Sequence, residues 1–349
     1  MTIKPQHTPA KPRVIVAMSG GVDSSVAALL LHEQGYDIIG ITMRLSSEPA
    51  EQIANPKGCC SAQDVEDARR VCQTLGKPHY FINMEAEFKT HVIDYFVSEY
   101  QEGRTPHPCI ACNDRMKFDF LMKRAEFMEA DFVATGHYAR IRQNRETENF
   151  ELLKGVDANK DQSYVLYGLN QAQLSRILLP VGEYSKQQIR TFASEANLSV
   201  AGKKDSQEIC FIPQGDYREF MRHKVTPQRG SLIDKHGAYL GEHPGIEFFT
   251  VGQRRGIGLT STNGPLYVTK VNPKTKEVTV GCEDDLYHPG VTINKINYVS
   301  GIAPLDPIRV TAKIRYTGDT LQGTLNPSGT SAIFRFDAPQ RAATPGQAA

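Results

Sequence analysis

Three short stretches of this 349-residue chain carry residue types suited to chemistry. The first is Ser19-Gly20-Gly21-Val22-Asp23-Ser24, set between the apolar run Val14–Met18 and a helix pattern from Ser25 to Gln34. A turn between the end of a strand and the start of a helix gathers backbone N–H groups without partners, and the helix dipole adds partial positive charge. Glycines let the backbone close on an anion and serines add hydroxyls, so phosphate is the natural guest. A Walker-type loop needs Gly-Lys-Ser/Thr, and this turn has no lysine; nor does it carry G-x-G-x-x-G. Asp23 instead sits where phosphates would lie, and a carboxylate there calls for a bridging Mg²⁺. The plain alternative is a glycine-rich structural turn.

The second stretch is GRTPHPCIACNDRMKF, residues 103 to 118. Its prolines hold an extended loop between helices. Cys109-x-x-Cys112 then precedes a helix expected to start near Asp114, where a thiol pKa is lowered and the thiolate becomes available. A structural zinc site would need two more ligands, which Cys59-Cys60 could supply. The third stretch, GKKDSQEICFI (202 to 212), places Cys210 between charged residues and Phe211-Ile212. By itself Cys210 reads as a core thiol; beside a phosphate-type turn and a second reactive-looking cysteine it reads as a partner in thiol chemistry. The chain has seven cysteines, an odd number that argues against a disulfide framework.

These residues need a scaffold. Strand patterns at Val14–Met18, Ile38–Met43, His79–Met84 and Asp131–Thr135 alternate with helix patterns at Ser25–Gln34, Ser61–Leu75, Glu85–Glu102 and Arg115–Ala130. Ser61 with Asp64 three residues on is a capping signal. The alternation predicts an α/β fold, a doubly wound, mostly parallel sheet with helices on both faces. From Gly230 onward, short strand patterns separated by Gly, Pro and Asn turns predict one or two small β domains, with a seam near Asp284 to Gly290. The expected division is a disordered tail over 1–12, a catalytic α/β domain over 13–213, a small β-rich domain over 214–283 and a last β domain over 284–349.

Net charge is +1, which announces no nucleic-acid partner, but residues 286 to 349 carry six lysines and arginines against three aspartates. No apolar run reaches the length of a membrane span, so no membrane partner is expected. The first residues, MTIKPQHTPAKPR, lack the apolar core of an export signal, so the expected location is cytoplasmic.

The first motif resembles the PP-loop of the ATP pyrophosphatases, which cleave ATP to AMP and pyrophosphate and use AMP to activate an oxygen. AMSGGVDSSVAALLL, GRTPHPCIACN, ATGHYAR, DANKDQSYVL, SQEICFI, FTVGQRRGIGL, AKIRY and AATPGQ follow one another in the order of the tRNA 2-thiouridylases, roughly from Arg13 to Gln347. The resemblance implies an N-terminal domain of the adenine nucleotide alpha hydrolase type and two small β-rich domains, the last a β-barrel. The family continues with one more strand, so this barrel is expected to lack its last one. It implies ATP held by Ala17, Met18, Ser19, Gly20, Gly21, Val22, Asp23, Ser24, Met43 and Gly136, with Mg²⁺ reached by Asp23 through the phosphates. Cys112 matches the nucleophile and Cys210 the cysteine that carries sulfur as a persulfide, and the chemistry then leaves a Cys112–Cys210 disulfide.

His107, Pro108 and Cys109 match the triplet at the target base, wobble uridine 34. Many relatives have aspartate where this chain has Cys109, and the thiol is a weaker acid. That exchange opens a second route, in which Cys109, Cys112 and Cys210 ligate a [4Fe–4S] cluster. His137, Lys160, Asp161, Gln162, Arg315, Tyr316 and Gln347 match positions facing tRNA. The partners implied are tRNAs for Lys, Glu and Gln and a sulfur donor, either a cysteine desulfurase or a relay carrier. An amide-forming PP-loop ligase, which has no use for the two cysteines, and a non-enzymatic RNA-binding protein are the rival readings.

Overall fold

The computed structural model describes residues 11–45, 61–205, 209–212, 216–262 and 264–349. Cys59 and Cys60, the tail before residue 11 and Ser206 to Glu208 of the third motif lie outside the described residues. The chain divides into two compact units, Met1–Phe88 with Cys112–Pro213, and Lys89–Ala111 with Gln214–Ala349.

In chain order the first half contains β1 (Arg13–Ala17), α1 (Val22–Glu33), β2 (Asp37–Arg44), α2 (Ala62–Thr74), β3 (His79–Asn83), α3 (Glu85–Phe88), α4 (Tyr95–Gln101), α5 (Pro108–Cys112), α6 (Asp119–Phe127) and β4 (Phe132–Ala134). It continues with β5 (Ala139–Gln143), β6 (Phe150–Lys154), α7 (Gln171–Leu174), β7 (Ile177–Leu178) and α8 (Lys186–Glu195). Five strands form one sheet in the order β3-β2-β1-β4-β7, and every pairing is parallel. Val14, Ile15 and Val16 of β1 are fully buried, as a strand covered on both faces requires. Helix α1 buries Val22 and every residue from Ser24 to Leu31. Its apolar side chains share one core with Val14, Val16, Ile38, Val71 and, from α8, Ile189 and Ala193. A helix apolar almost all round is one packed on more than one side.

The sheet bears out the α/β reading, with instructive differences. Helix α1 starts at Val22, three residues before the expected Ser25, so Asp23 and Ser24 belong to its first turn. The helix expected over Glu85–Glu102 is interrupted by a π segment, Lys89–Asp94, and the next one by another, Asn113–Phe118. Each widens the hydrogen-bond ladder locally, a change that side-chain periodicity does not reveal. The β5–β6 hairpin was not anticipated; it pairs Ala139 with Lys154 through to Gln143 with Phe150.

The second unit holds α9 (Tyr217–Arg222), β8 (Gly230–Ile233), β9 (Tyr239–His243), β10 (Tyr267–Asn272), β11 (Glu277–Gly281), β12 (Tyr287–Asn294), β13 (Ile308–Ala312), β14 (Leu321–Ser328) and β15 (Ser331–Arg341). They form two four-stranded sheets, β10-β11-β8-β9 and β12-β15-β14-β13, as the β-rich reading requires. Residues 89 to 111 group with this unit because α4 is aromatic. The Phe96 ring lies 6.0 Å from Phe220, and Tyr100 stacks on Tyr217 at 4.7 Å.

Two features of the first unit give measurable consequences. Gly20 has φ +69°, and a Cβ on it would lie 2.1 Å from the Asp64 carbonyl oxygen. Neither side of that contact is a flexible side chain. Gly20→Ala is therefore expected to lower the thermal midpoint by about 5 °C or more, read by circular dichroism. His137, buried with Nδ1 2.7 Å from the Thr135 hydroxyl, has its imidazole held down to about 3 by burial. The unfolded chain takes up that proton near its ordinary value of 6.5 and the fold does not, so stability falls with pH below that value. His137→Gln should make the loss of thermal midpoint between about pH 7 and about pH 5 shallower than in the wild type; parallel curves would refute this origin.

Candidate nucleotide and thiol sites

Strand order reverses at β1, whose neighbours β2 and β4 continue in opposite directions, and ligands of such sheets bind outside the carboxyl ends of the strands at that switch. The expected ATP-binding residues gather there. Ala17 ends β1, Met43 is buried near the end of β2, and Gly136 follows β4. A Cβ on Gly136 would lie 2.6 Å from the Ser24 backbone nitrogen, so this glycine is what lets the loop after β4 close on the first turn of α1.

The turn itself is braced by its serines. Ser24 Oγ accepts from the Ser19 N–H at 3.1 Å and donates to the Gly21 carbonyl at 3.2 Å, and Ser25 Oγ donates to the same carbonyl at 2.8 Å. The N-cap residue of α1 is Gly21, and no side chain caps it. The first N–H groups of this twelve-residue helix thus receive no side-chain cap from Gly21, an arrangement that suits an anion.

A lysine from another element reaches Asp23. Lys186, the first residue of α8, places Nζ 2.7 and 2.9 Å from the two carboxylate oxygens of Asp23. Tyr138 donates its hydroxyl to Asp23 Oδ1 at 2.7 Å. Lys186 Nζ also lies 2.8 Å from Asp205, which pairs with Lys160 at 2.9 Å and Arg190 at 2.7 Å. Burial pushes the Asp205 carboxyl up, but hydrogen bonds from Lys160 and Lys186 win and hold it down to about 2. A second lysine, Lys203, donates to the Gly20 carbonyl at 2.9 Å and pairs with Asp64 and Asp67 at 2.6 and 2.7 Å. Asp23 therefore has a cationic partner on the protein.

Sequence reasoning missed Tyr138, Lys186, Arg190, Lys203 and Asp205 as members of this site. Lys203 and Asp205 stood in the GKKDSQEIC motif, read there only for its cysteine. Lys186 had no signal beyond the capping box of Ser185 and Gln188 that starts its helix.

Of the residues expected to face tRNA in this unit, Lys160 pairs with Asp205, Asp161 accepts from the Gly155 and Ser163 N–H groups, and Gln162 accepts from the Tyr138 N–H. Together with buried His137 they form the internal frame of the loop after β6. Cys112 is 7% exposed, and the Asn113 amide beside it donates to the Val165 carbonyl at 3.0 Å. The helical run around it starts at Pro108, not near Asp114, so Cys112 lies within it and the helix-start argument for its thiolate does not hold. Cys210 is half-buried next to Phe211, whose ring meets Phe88 edge-on at 5.8 Å. Among the described residues no group of three or more His, Cys, Asp or Glu side chains is placed to hold a metal ion.

The second unit gathers its own set. The His107 ring lies 5.6 Å from Tyr316, edge to face. Gln347 donates to the Thr105 carbonyl at 2.7 Å, and the Thr105 N–H donates to Pro345. Arg315 donates to the carbonyls of Arg341 and Ala342. Arg315, Tyr316, Arg341, Gln347 and Thr105 line a cavity of about 420 Å³. Residues 105–107, 315–316 and 347, remote in sequence, are thus brought to one place.

Family models match most of the chain: the tRNA methyl transferase HUP domain over residues 12–214, the tRNA methyl transferase PRC-barrel domain over 218–282 and the aminomethyltransferase beta-barrel domain over 289–349. The tRNA-specific 2-thiouridylase MnmA of Clostridium perfringens is 46% identical over 342 residues, 97% of this chain and 94% of that protein. The protein of the same name from Carboxydothermus hydrogenoformans is 44% identical over 97% of this chain and 93% of its own. Among solved structures, NMN synthetase from Francisella tularensis aligns at 18% identity and a TM-score of 0.33, over 56% of this chain and 67% of that one. No described helix is long and apolar enough to cross a membrane. With relatives matching along nearly its whole length, and all three family segments in order, the chain belongs to the tRNA-specific 2-thiouridylase family.

Proposed function

We propose that this chain is a tRNA-uridine 2-sulfurtransferase that replaces the 2-oxygen of the wobble uridine with sulfur at the expense of ATP. The observation that carries the reading is the side-chain-uncapped turn at β1 and α1 in the same compact unit as Cys112 and Cys210, in a chain 46% identical to a named 2-thiouridylase. The catalytic segment is read as 13–213, followed by β domains over 214–283 and 284–349. The tRNAs for Lys, Glu and Gln are the expected substrates, a cysteine desulfurase or relay carrier the sulfur donor, and the cytoplasm the location.

The chemistry has two halves. The uracil 2-oxygen is a poor leaving group; its attack on the α-phosphorus of ATP expels pyrophosphate and converts it into a good one. The turn from Ala17 to Ser24 receives the phosphates through backbone N–H groups, while Met43 and Gly136 close the pocket around it. Asp23, one carboxylate beside phosphate oxygens, suits a Mg²⁺ held largely by the substrate, and the ion would offset charge on the departing pyrophosphate. In the second half Cys210 carries a terminal sulfur as a persulfide. Cys112 thiolate attacks the inner sulfur and forms the Cys112–Cys210 bond. The freed hydrosulfide adds to C2 and AMP leaves with the oxygen. A thiol reductant then returns two electrons to the disulfide. A base reacting at C2 must leave its stack, which is least costly in a loop. Tyr316 offers a stacking face and Arg315 a cation beside the His107-Pro108-Cys109 triplet.

Cys112→Ser and Cys210→Ser are each expected to abolish 2-thiouridine in tRNA from complemented deletion cells, measured by nucleoside mass spectrometry. An amide-forming ligase would survive both changes. Asp23→Asn should abolish AMP release while tRNA still binds; undiminished AMP release would remove the metal role. Arg315→Ala should weaken tRNA binding across sequences and reduce the salt slope of log K by about 1, read by filter binding at several salt concentrations.

A further inference from the structure

Three cations converge on two carboxylates beside a phosphate-type turn that lacks its own lysine. Lys186 bridges Asp23 and Asp205, while Lys160 and Arg190 hold Asp205 alone. Removing each in thought shows that they are not equivalent. Without Lys160 or Arg190 the segment from Ala201 to Asp205 loses an anchor, since Arg190 also donates to the Ala201 and Lys203 carbonyls at 3.2 and 3.0 Å. Without Lys186, Asp23 keeps the Tyr138 hydroxyl at 2.7 Å and Asp205 keeps both other cations. Lys186 is therefore the cation that each carboxylate can release while keeping another hydrogen-bond donor. Its side chain is 12% exposed, against 39% for Lys160 and 36% for Arg190, and its ammonium stands against Asp23 in the first turn of α1.

We propose that Lys186 is the phosphate-binding lysine of this enzyme, supplied by the start of α8 instead of by the loop. Asp205 is the anion that holds it in place and competes with the nucleotide for it. On ATP binding the ammonium moves from Asp205 to the phosphate chain, and Asp205 remains neutralised by Lys160 and Arg190. No covalent bond changes in this exchange. Lysine serves phosphate here as a point charge on a long stem, which a single flexible side chain at a helix start provides.

This assignment rests on the ATP reading, so the test separates the two. The full chain, without tRNA, is titrated with MgATP by calorimetry and with adenosine by ligand-observed NMR. Wild-type protein that binds no ATP overturns the ATP reading itself. Where it binds, Lys186→Met is expected to weaken ATP about tenfold or more and adenosine less than about twofold, and Lys186→Arg to recover most of the loss. Asp205→Asn is expected to tighten ATP about threefold, because it removes the competitor and leaves the cations. Lys186→Met with wild-type ATP affinity, or with ATP and adenosine weakened alike, overturns the assignment. Should Lys186→Met fail to fold, Asp205→Asn decides: unchanged or weaker ATP binding then overturns it, since a purely structural latch predicts no gain.

Discussion

Lys203 holds the carbonyl of Gly20 and the carboxylates of Asp64 and Asp67 at once, and the shape of the turn after β1 depends on that grip. Gly20 meets the Asp64 backbone closely enough to exclude any side chain. Such an approach sets a carbonyl oxygen against the acidic start of a helix, a repulsive arrangement unless a cation lies between. The capping box of Ser61 and Asp64 fixes α2 in the pose that allows it. The carbonyl of Gly20 is engaged on this side, while the Ser19 N–H is taken by Ser24 Oγ within the turn. The shape of the turn thus follows from how its back is pinned.

The same economy governs charge in front of the turn. Placing Asp23 in the first turn of α1 favours the helix dipole but opposes a phosphate guest. A lysine inside the loop would cancel Asp23 permanently. A lysine on α8 cancels it only while nothing better is offered, and Asp205 with its two further cations keeps that lysine near without needing it. Exposed ion pairs contribute little to stability. This cluster, half sheltered between α1 and α8, matters more for where its charges stand than for how strongly it staples the helices.

What could be read from the sequence follows the range of the interactions involved. The parallel sheet was legible because buried strands such as Val14-Ile15-Val16 and capped helices such as α2 advertise themselves within a few residues. The turn was legible because a strand, small residues and a helix occur in register. The lysine site was not, since Asp23 and Lys186 lie 163 positions apart and neither neighbourhood mentions the other. The π segments were invisible for a different reason: one extra residue per turn shifts the hydrogen bonds without changing which side chains are apolar. The expected thiolate at Cys112 failed on a boundary, because a helix start read as Asp114 stands at Pro108.

The longest-range link concerns the GRTPHPC stretch. Its Thr105 is tied through backbone and side chain to Pro345 and Gln347, 240 and more positions away, and a side chain on Gly346 would meet the Thr105 nitrogen at 2.8 Å. Closing a loop of that length costs conformational entropy while the chain between is unfolded, and little of that cost remains once it has folded, so the link is inexpensive in the native state. Its consequence is a division of labour within one motif. His107 takes its position from the C-terminal β domain, through Tyr316 and the final turn, whereas Asn113 beside Cys112 is fixed by the Val165 carbonyl of the α/β unit. Substitutions in residues 340 to 347 can therefore displace the residues implied at the target base while leaving the turn after β1 untouched. Loss of modification without loss of nucleotide binding is the signature such variants must show.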